Sequence, residues 1–239
     1  MKQLMSMLVL GVFAVSMLTA NGQLEQQRMP QPADRPIRSQ DALCDCEDPV
    51  IQELEDHETA GLLLMREEEK LARDVYTKLG ELWNDRLFFT IAASESRHME
   101  AVKHLLDRYG IEDPAADDVP GVFRNQELQH LYDTLVQRGS ESLEAALAVG
   151  ALVEDLDIKD LQDLISATDK EDIIRVYENL MHGSIRHIQS FIGRLNALGE
   201  TYESQFITQE ELDTFIDQSR EDVREAAGGN MQRRGMPWR

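Results

Sequence analysis

The stretch Leu62-Leu-Leu-Met65-Arg-Glu-Glu-Glu69-Lys-Leu-Ala72-Arg-Asp-Val-Tyr76-Thr-Lys-Leu79-Gly-Glu-Leu-Trp83 decides how this chain folds. Its apolar residues return at alternating steps of three and four, the spacing that lines up side chains on one face of an α-helix. One member of the seam is wrong for a core: Glu69 sits at its centre. The pattern recurs three times. A second seam runs Phe88, Ile91, Glu95, His98, Val102, Leu105, Tyr109, and a third runs Leu143, Leu147, Gly150, Glu154, Asp157, Leu161, Leu164. The fourth runs Ile173, Tyr177, Leu180, Ser184, His187, Phe191 and Leu198, with Leu195 beside its one exposed step. Each is apolar at both ends and polar in the middle.

These seams predict helices over 58–83, 86–109, 142–165 and 170–198. Gly110 followed by Pro114 closes the second, and Thr168 with Glu171 forms a capping box ahead of the fourth. Near Asp157 the third either continues or breaks, since Asp-Ile-Lys-Asp could also cap a new helix. Between the second and third seams lie Pro120-Gly121 and a short helix candidate, Gln126 to Gln137. The other connections are only a few residues long. Short, long, short is the connection pattern of an all-α, ferritin-like four-helix bundle with one long crossover between helices two and three.

The helix midpoints fall near residues 70, 97, 153 and 184 (roughly, since ends shift by a residue or two). Glu69, Glu95, His98, Glu154, Ser184 and His187 all lie within a turn of them, so antiparallel packing puts these groups in one layer. Buried carboxylates without partners cost several kcal/mol or become neutral, and three at one depth also repel. A cation removes the difficulty, attracting each carboxylate and taking neutral imidazoles as ligands. Glu95 and His98, three apart, point at one spot. Carboxylate and imidazole without cysteine suit iron, manganese or zinc. The competing reading is a buried polar network in which Tyr76, Ser184 and water join Glu–His pairs.

Composition narrows the function classes. With 24 basic against 45 acidic residues the net charge is −21, which excludes a general nucleic-acid binder. Residues 1–22 read as a secretory signal: Lys2, an apolar run from Met5 to Leu18, then Ala20-Asn21-Gly22. A periplasmic or secreted location is therefore expected, without stable membrane insertion after cleavage. Residues 23–57 read as a flexible leader carrying Cys44 and Cys46, for which some disulfide is favoured in an oxidising compartment. Residues 208–226 read as an accessory amphipathic helix, with Thr208 and Glu211 as its capping box and Leu212, Phe215, Ile216 and Val223 on one side. Residues 227–239 read as a disordered tail.

Glu69-Lys-Leu-Ala72-Arg-Asp-Val-Tyr76 resembles the E-x-x-A-x-x-x-Y run of ferritin and rubrerythrin relatives, and Glu95-Ser-Arg-His98 resembles their E-x-x-H. The wider wording is similar to an uncharacterised bacterial branch of that superfamily, the domain of unknown function 2202. The phrases that carry it are Arg66 to Tyr76, Ser94-Glu-Ser-Arg-His98, Glu154-Asp-Leu-Asp-Ile158 and Gly183-Ser-Ile-Arg-His187, within about residues 58–200. The resemblance implies Glu69 as a terminal ligand, Glu95 as a bridge, and His98 on the first ion. It also implies Glu154 as the second terminal carboxylate and His187 on the second ion. Ser184 departs from the pattern, which has a second bridging glutamate there; Asp157, one turn beyond Glu154, is the candidate replacement.

The function this implies is oxidation of Fe(II), or reduction of oxygen or peroxide, at one or two ions. Tyr76 would supply a hydrogen bond or an electron. The alternative is a non-catalytic helical module with a degenerate site, binding one metal or a protein partner. Self-association as a homodimer is left open, and a storage cage is disfavoured by the flanking arms. By angle along their helices, Glu178 and His104 are expected in solvent. Glu68 is a neighbour to the ligands and Glu67 faces water. His182, Glu100, Asp155, Asp160 and Asp163 are expected as surface charge.

Overall fold

Two residues, Asn84 and Asp85, turn the chain between its first two long helices. Asn84 takes a left-handed conformation (φ 50°), and the Asp85 carboxylate accepts from the Leu87 amide at 2.9 Å. The computed structural model describes residues 53–123 and 125–218. Within them the chain is all-helical, with six helices and no strand. They are α1 (Asp56–Trp83), α2 (Arg86–Tyr109), α3 (Gln126–Gly139), α4 (Leu143–Ser166), α5 (Glu171–Leu198) and α6, described over 209–218. The signal-like segment, Cys44, Cys46, Val223 and the tail lie outside the described residues.

The four long helices pack in a ring, α1 on α2, α2 on α5, α5 on α4 and α4 on α1. The segment from Gly110 to Ser142 carries α3, which rests on α1 and α4. Gly110 ends α2 in the left-handed region (φ 68°), and Ser142 caps α4 by accepting from the Ala145 amide at 3.0 Å. Arg66 holds the crossover with a bidentate pair to Asp113 at 2.9 and 2.8 Å. Lys70 reaches the Val119 carbonyl at 2.9 Å, and Asp74 accepts from the Gly121 amide at 2.9 Å.

Several local expectations are settled or corrected. α4 runs unbroken through Asp157, because that carboxylate accepts from Ser184 on α5 at 2.5 Å instead of capping a new helix. Thr168 and Glu171 form no box: α5 starts after Lys170, and the Thr168 hydroxyl donates to Glu58 at 2.6 Å. Leu195, 2 % exposed, takes the seam position assigned to Leu198, which is 39 % exposed. α1 begins two residues early, where Glu58 accepts from the Glu55 amide at 2.9 Å. The box at Thr208 does form: its amide donates to Glu211 at 2.8 Å, and the Glu211 amide returns to its hydroxyl at 3.2 Å.

Two expected surface acids are interior. Glu67 is 1 % exposed because it shares a stripe of α1 with Lys70 and Asp74, which the crossover covers. Asp155 is fully buried. It accepts from the Tyr202 hydroxyl at 2.7 Å and from the amides of Gln205, Phe206 and Ile207 at 2.6, 3.3 and 2.9 Å. The segment after α5 is thereby tied to α4, and α6 follows with Leu212 buried and Phe215 and Ile216 against the core.

The core comes in two parts. One gathers Val75, Tyr76, Leu79, Phe88, Leu147 and Phe191; the other gathers Leu62, Met65, Val102, Leu106, Leu161 and Tyr177. Between them lie the polar centres of the four seams.

Candidate metal centre

The polar layer is organised around Glu95 of α2. One carboxylate oxygen lies 2.7 Å from Nδ1 of His98, and the other lies 2.8 Å from Nδ1 of His187 on α5. Each imidazole also faces a second glutamate: His98 lies 3.3 Å from Glu69 of α1, and His187 lies 3.5 Å from Glu154 of α4. Two sets of three ligand atoms result, Glu69–Glu95–His98 and Glu95–Glu154–His187, each set within 4.8 Å and both sharing Glu95. The two rings stack at 5.5 Å with an interplanar angle of 25°. All three glutamates are at most 2 % exposed.

Helical spacing explains these positions. Three residues on one helix bring Glu95 and His98 together, while matched midpoints bring the other helices' groups to the same depth. Two glycines make room. A Cβ at Gly183 would lie 2.5 Å from Cε1 of His98, and one at Gly150 would lie 2.5 Å from the Phe191 ring. Gly183 was legible only as a word of the family resemblance; its contact with His98 supplies the physical reason.

The electrostatics are those of a layer short of positive charge. Burial raises Glu69 well above the ordinary carboxylate range, and the charge of Asp157 adds to it. Burial and then Glu95 raise Glu154. Burial also opposes ionisation of Glu95, but His187 and His98 outweigh it and hold Glu95 low. Desolvation disfavours the charged imidazoles, yet their glutamates push His98 up to about 11 and His187 to about 10.

The donors nevertheless fit a cation better than they fit one another. Oε1 of Glu69, Oε1 of Glu95 and Nδ1 of His187 are buried without a hydrogen bond. The last two approach to 2.8 Å but are not aligned as donor and acceptor. Lone pairs converging at contact distance without N–H alignment suit a shared ion, and oxygen with imidazole nitrogen suits iron, manganese or zinc.

Tyr76 and Asp157 lie beside the two sets. The Tyr76 hydroxyl donates to Glu154 at 2.6 Å and contacts no other ligand candidate through a hydrogen bond. Asp157 accepts from Ser184, so the two side chains stand together where the resemblance implies a second bridge. Burial, then Glu154, raises Asp157 to about 7. On the flank, burial and then the charge of Asp160 raise Glu68 well above the ordinary carboxylate range, and burial followed by Asp163 lifts Asp160 to about 6. Asp160 is thus half-buried rather than surface charge; facing helices, not spacing along α4, create that pair. Glu178, His104, His182, Glu100 and Asp163 are exposed as expected.

Fold and site together define an all-helical bundle with a carboxylate–imidazole layer able to hold metal. The chain belongs to the family described as Uncharacterized protein domain (DUF2202), which matches residues 58–219. Uncharacterized protein MJ0754 of Methanocaldococcus jannaschii is 49% identical over 170 residues, covering 71% of this chain and 92% of the relative. The crystal structure of hypothetical protein MJ0754 from Methanococcus jannaschii DSM 2661 superposes with a TM-score of 0.69. It covers 70% of this chain and 95% of that one. This relative is archaeal, and its name states no activity. No described helix is long and apolar enough to cross a membrane.

Proposed function

We propose that the protein is a ferritin-like metal protein whose bundle would hold two ions, iron before manganese or zinc, with Glu95 common to both ligand sets. The observation that carries this reading is the division of Glu95, one oxygen to each imidazole, with a terminal glutamate beyond each. Glu69 and His98 would hold one ion and Glu154 and His187 the other. Bound iron would supply one-electron redox chemistry for oxidising Fe(II), or for reducing oxygen or peroxide.

The chain's own residues prepare that chemistry. Tyr76 fixes the Glu154 carboxylate by its hydrogen bond, leaving the other oxygen toward His187. Asp157, oriented by Ser184, adds a carboxylate where the second bridge of the resemblance is missing. The apolar halves of the core keep bulk water from both sides of the layer. In this reading residues 1–22 export the protein, and a surplus of acids raises the local cation concentration.

The test compares ferrous oxidation by metal-loaded wild type and by a Glu95→Ala, His98→Ala double variant. Loss of oxidation in the variant supports catalysis; equal rates overturn it. The Ser184–Asp157 hydrogen bond favours a second reading, a non-catalytic module binding one ion. Stoichiometric loading with one ion and no ferrous oxidation would select it.

A further inference from the structure

The two imidazoles are not sealed on every side. A groove of about 470 Å³ opens between α2 and α5, and His98, His187 and Gly183 form its floor. Gly183 matters here because a Cβ would fall 2.6 Å from Nε2 of His98, filling the space beside that ring edge. The volume lies in the range of pockets for organic ligands, roughly 300–1,000 Å³, and far exceeds the ~30 Å³ of a water-sized molecule. Dioxygen or peroxide alone needs no such space.

The rim has a charge opposite to that of the chain. Arg97 of α2 and Arg186 of α5 both line the groove. Each commits only Nε to a carbonyl of its own helix, Ala93 at 3.3 Å and His182 at 3.0 Å. No carboxylate pairs with either among the described residues, although the chain has 45 acids. Leu87 and Ile91 line it with apolar side chains, while Asn179, Thr90 and Ser190, also in the lining, each donate to a backbone carbonyl of their own helix. An apolar wall with two guanidinium groups whose terminal nitrogens are uncommitted is the chemistry that recognises a carboxylate on a small organic body.

From this arrangement we infer that the α2–α5 groove binds a small organic carboxylate and brings it to the His98–His187 edge of the centre. This deepens the metal reading and rests on it for the destination of the ligand, though not for the anion contacts themselves. The probes are benzoate and its neutral isostere benzamide, titrated by NMR into zinc-loaded and chelated full-length protein. Replacing both arginines by glutamine (R97Q/R186Q) is expected to weaken benzoate roughly tenfold and leave benzamide unchanged. The lysine pair (R97K/R186K), which keeps the charge and loses the fork, is expected to bind benzoate with an affinity between those of wild type and R97Q/R186Q. Absence of benzoate binding, or equal affinity in wild type and R97Q/R186Q, overturns the proposal. Zinc content of the same samples judges the metal centre separately. Arginine-dependent benzoate binding without retained zinc would refute the centre alone, and retained zinc with arginine-independent binding would refute the groove alone.

Discussion

Glu95 is buried on a helix whose seam is ordinary core at Ile91 before it and at Val102 beyond His98. Removing it leaves two imidazoles and two glutamates without a shared centre. Tyr76 acts one step further out. Tyr76→Phe keeps the ring among Phe88 and Phe191 but frees Glu154. Metal affinity is expected to fall about tenfold to a hundredfold with the fold intact, measured by competition with a chromophoric chelator. At this scale much of the buried polar layer was readable beforehand. Glu69, Glu95, His98, Glu154 and His187 were all legible, because polar residues interrupting a helical seam point inward whatever the tertiary detail. Glu67, Asp155 and Asp160 were not legible, because what buries them comes from elsewhere in the chain: the crossover, the segment after α5, and Glu68 on α1.

At the scale of elements, Asp155 shows how one side chain docks a segment. Its carboxylate gathers three backbone amides and the Tyr202 hydroxyl, contacts between residues some fifty positions apart that no local pattern encodes. Asp155→Ala would strand these donors in the interior. The expected loss is about 3 kcal/mol in urea unfolding, with exchange protection lost at the Gln205 and Ile207 amides. Unchanged stability would mean that the segment is held by α6 packing alone. The long helices themselves came through from sequence nearly to the residue, since their seams mark their extent and Gly110 is a local stop signal. Of the two alternatives at Asp157, the break in α4 is absent for a nonlocal reason: Ser184 claims the carboxylate that would have capped it.

For the whole molecule, the polar layer sets a dependence on pH. In metal-free protein Asp157 sits at about 7, above its ordinary 3.8, while His187 and His98 sit at about 10 and 11, above 6.5. Groups raised by folding stabilise below their unfolded values and lose that contribution as pH climbs through the folded ones. Asp157's share is therefore gone above about 7, and those of the imidazoles fade between 6.5 and 10–11. The chelated protein is expected to melt at a lower temperature near pH 9 than near pH 6, followed by circular dichroism. Ion loading should shrink or reverse that difference, because a cation displaces the imidazole protons and binds more tightly as pH rises.

The most direct measurement is anomalous diffraction from crystals of the full chain soaked in Mn(II) or Fe(II). Two peaks should appear, one among Glu69, Glu95 and His98 and one among Glu95, Glu154 and His187, and both should vanish in Glu95→Ala. Crystals that show no peak in this layer after either soak, with the three glutamates still turned inward, would contradict the account.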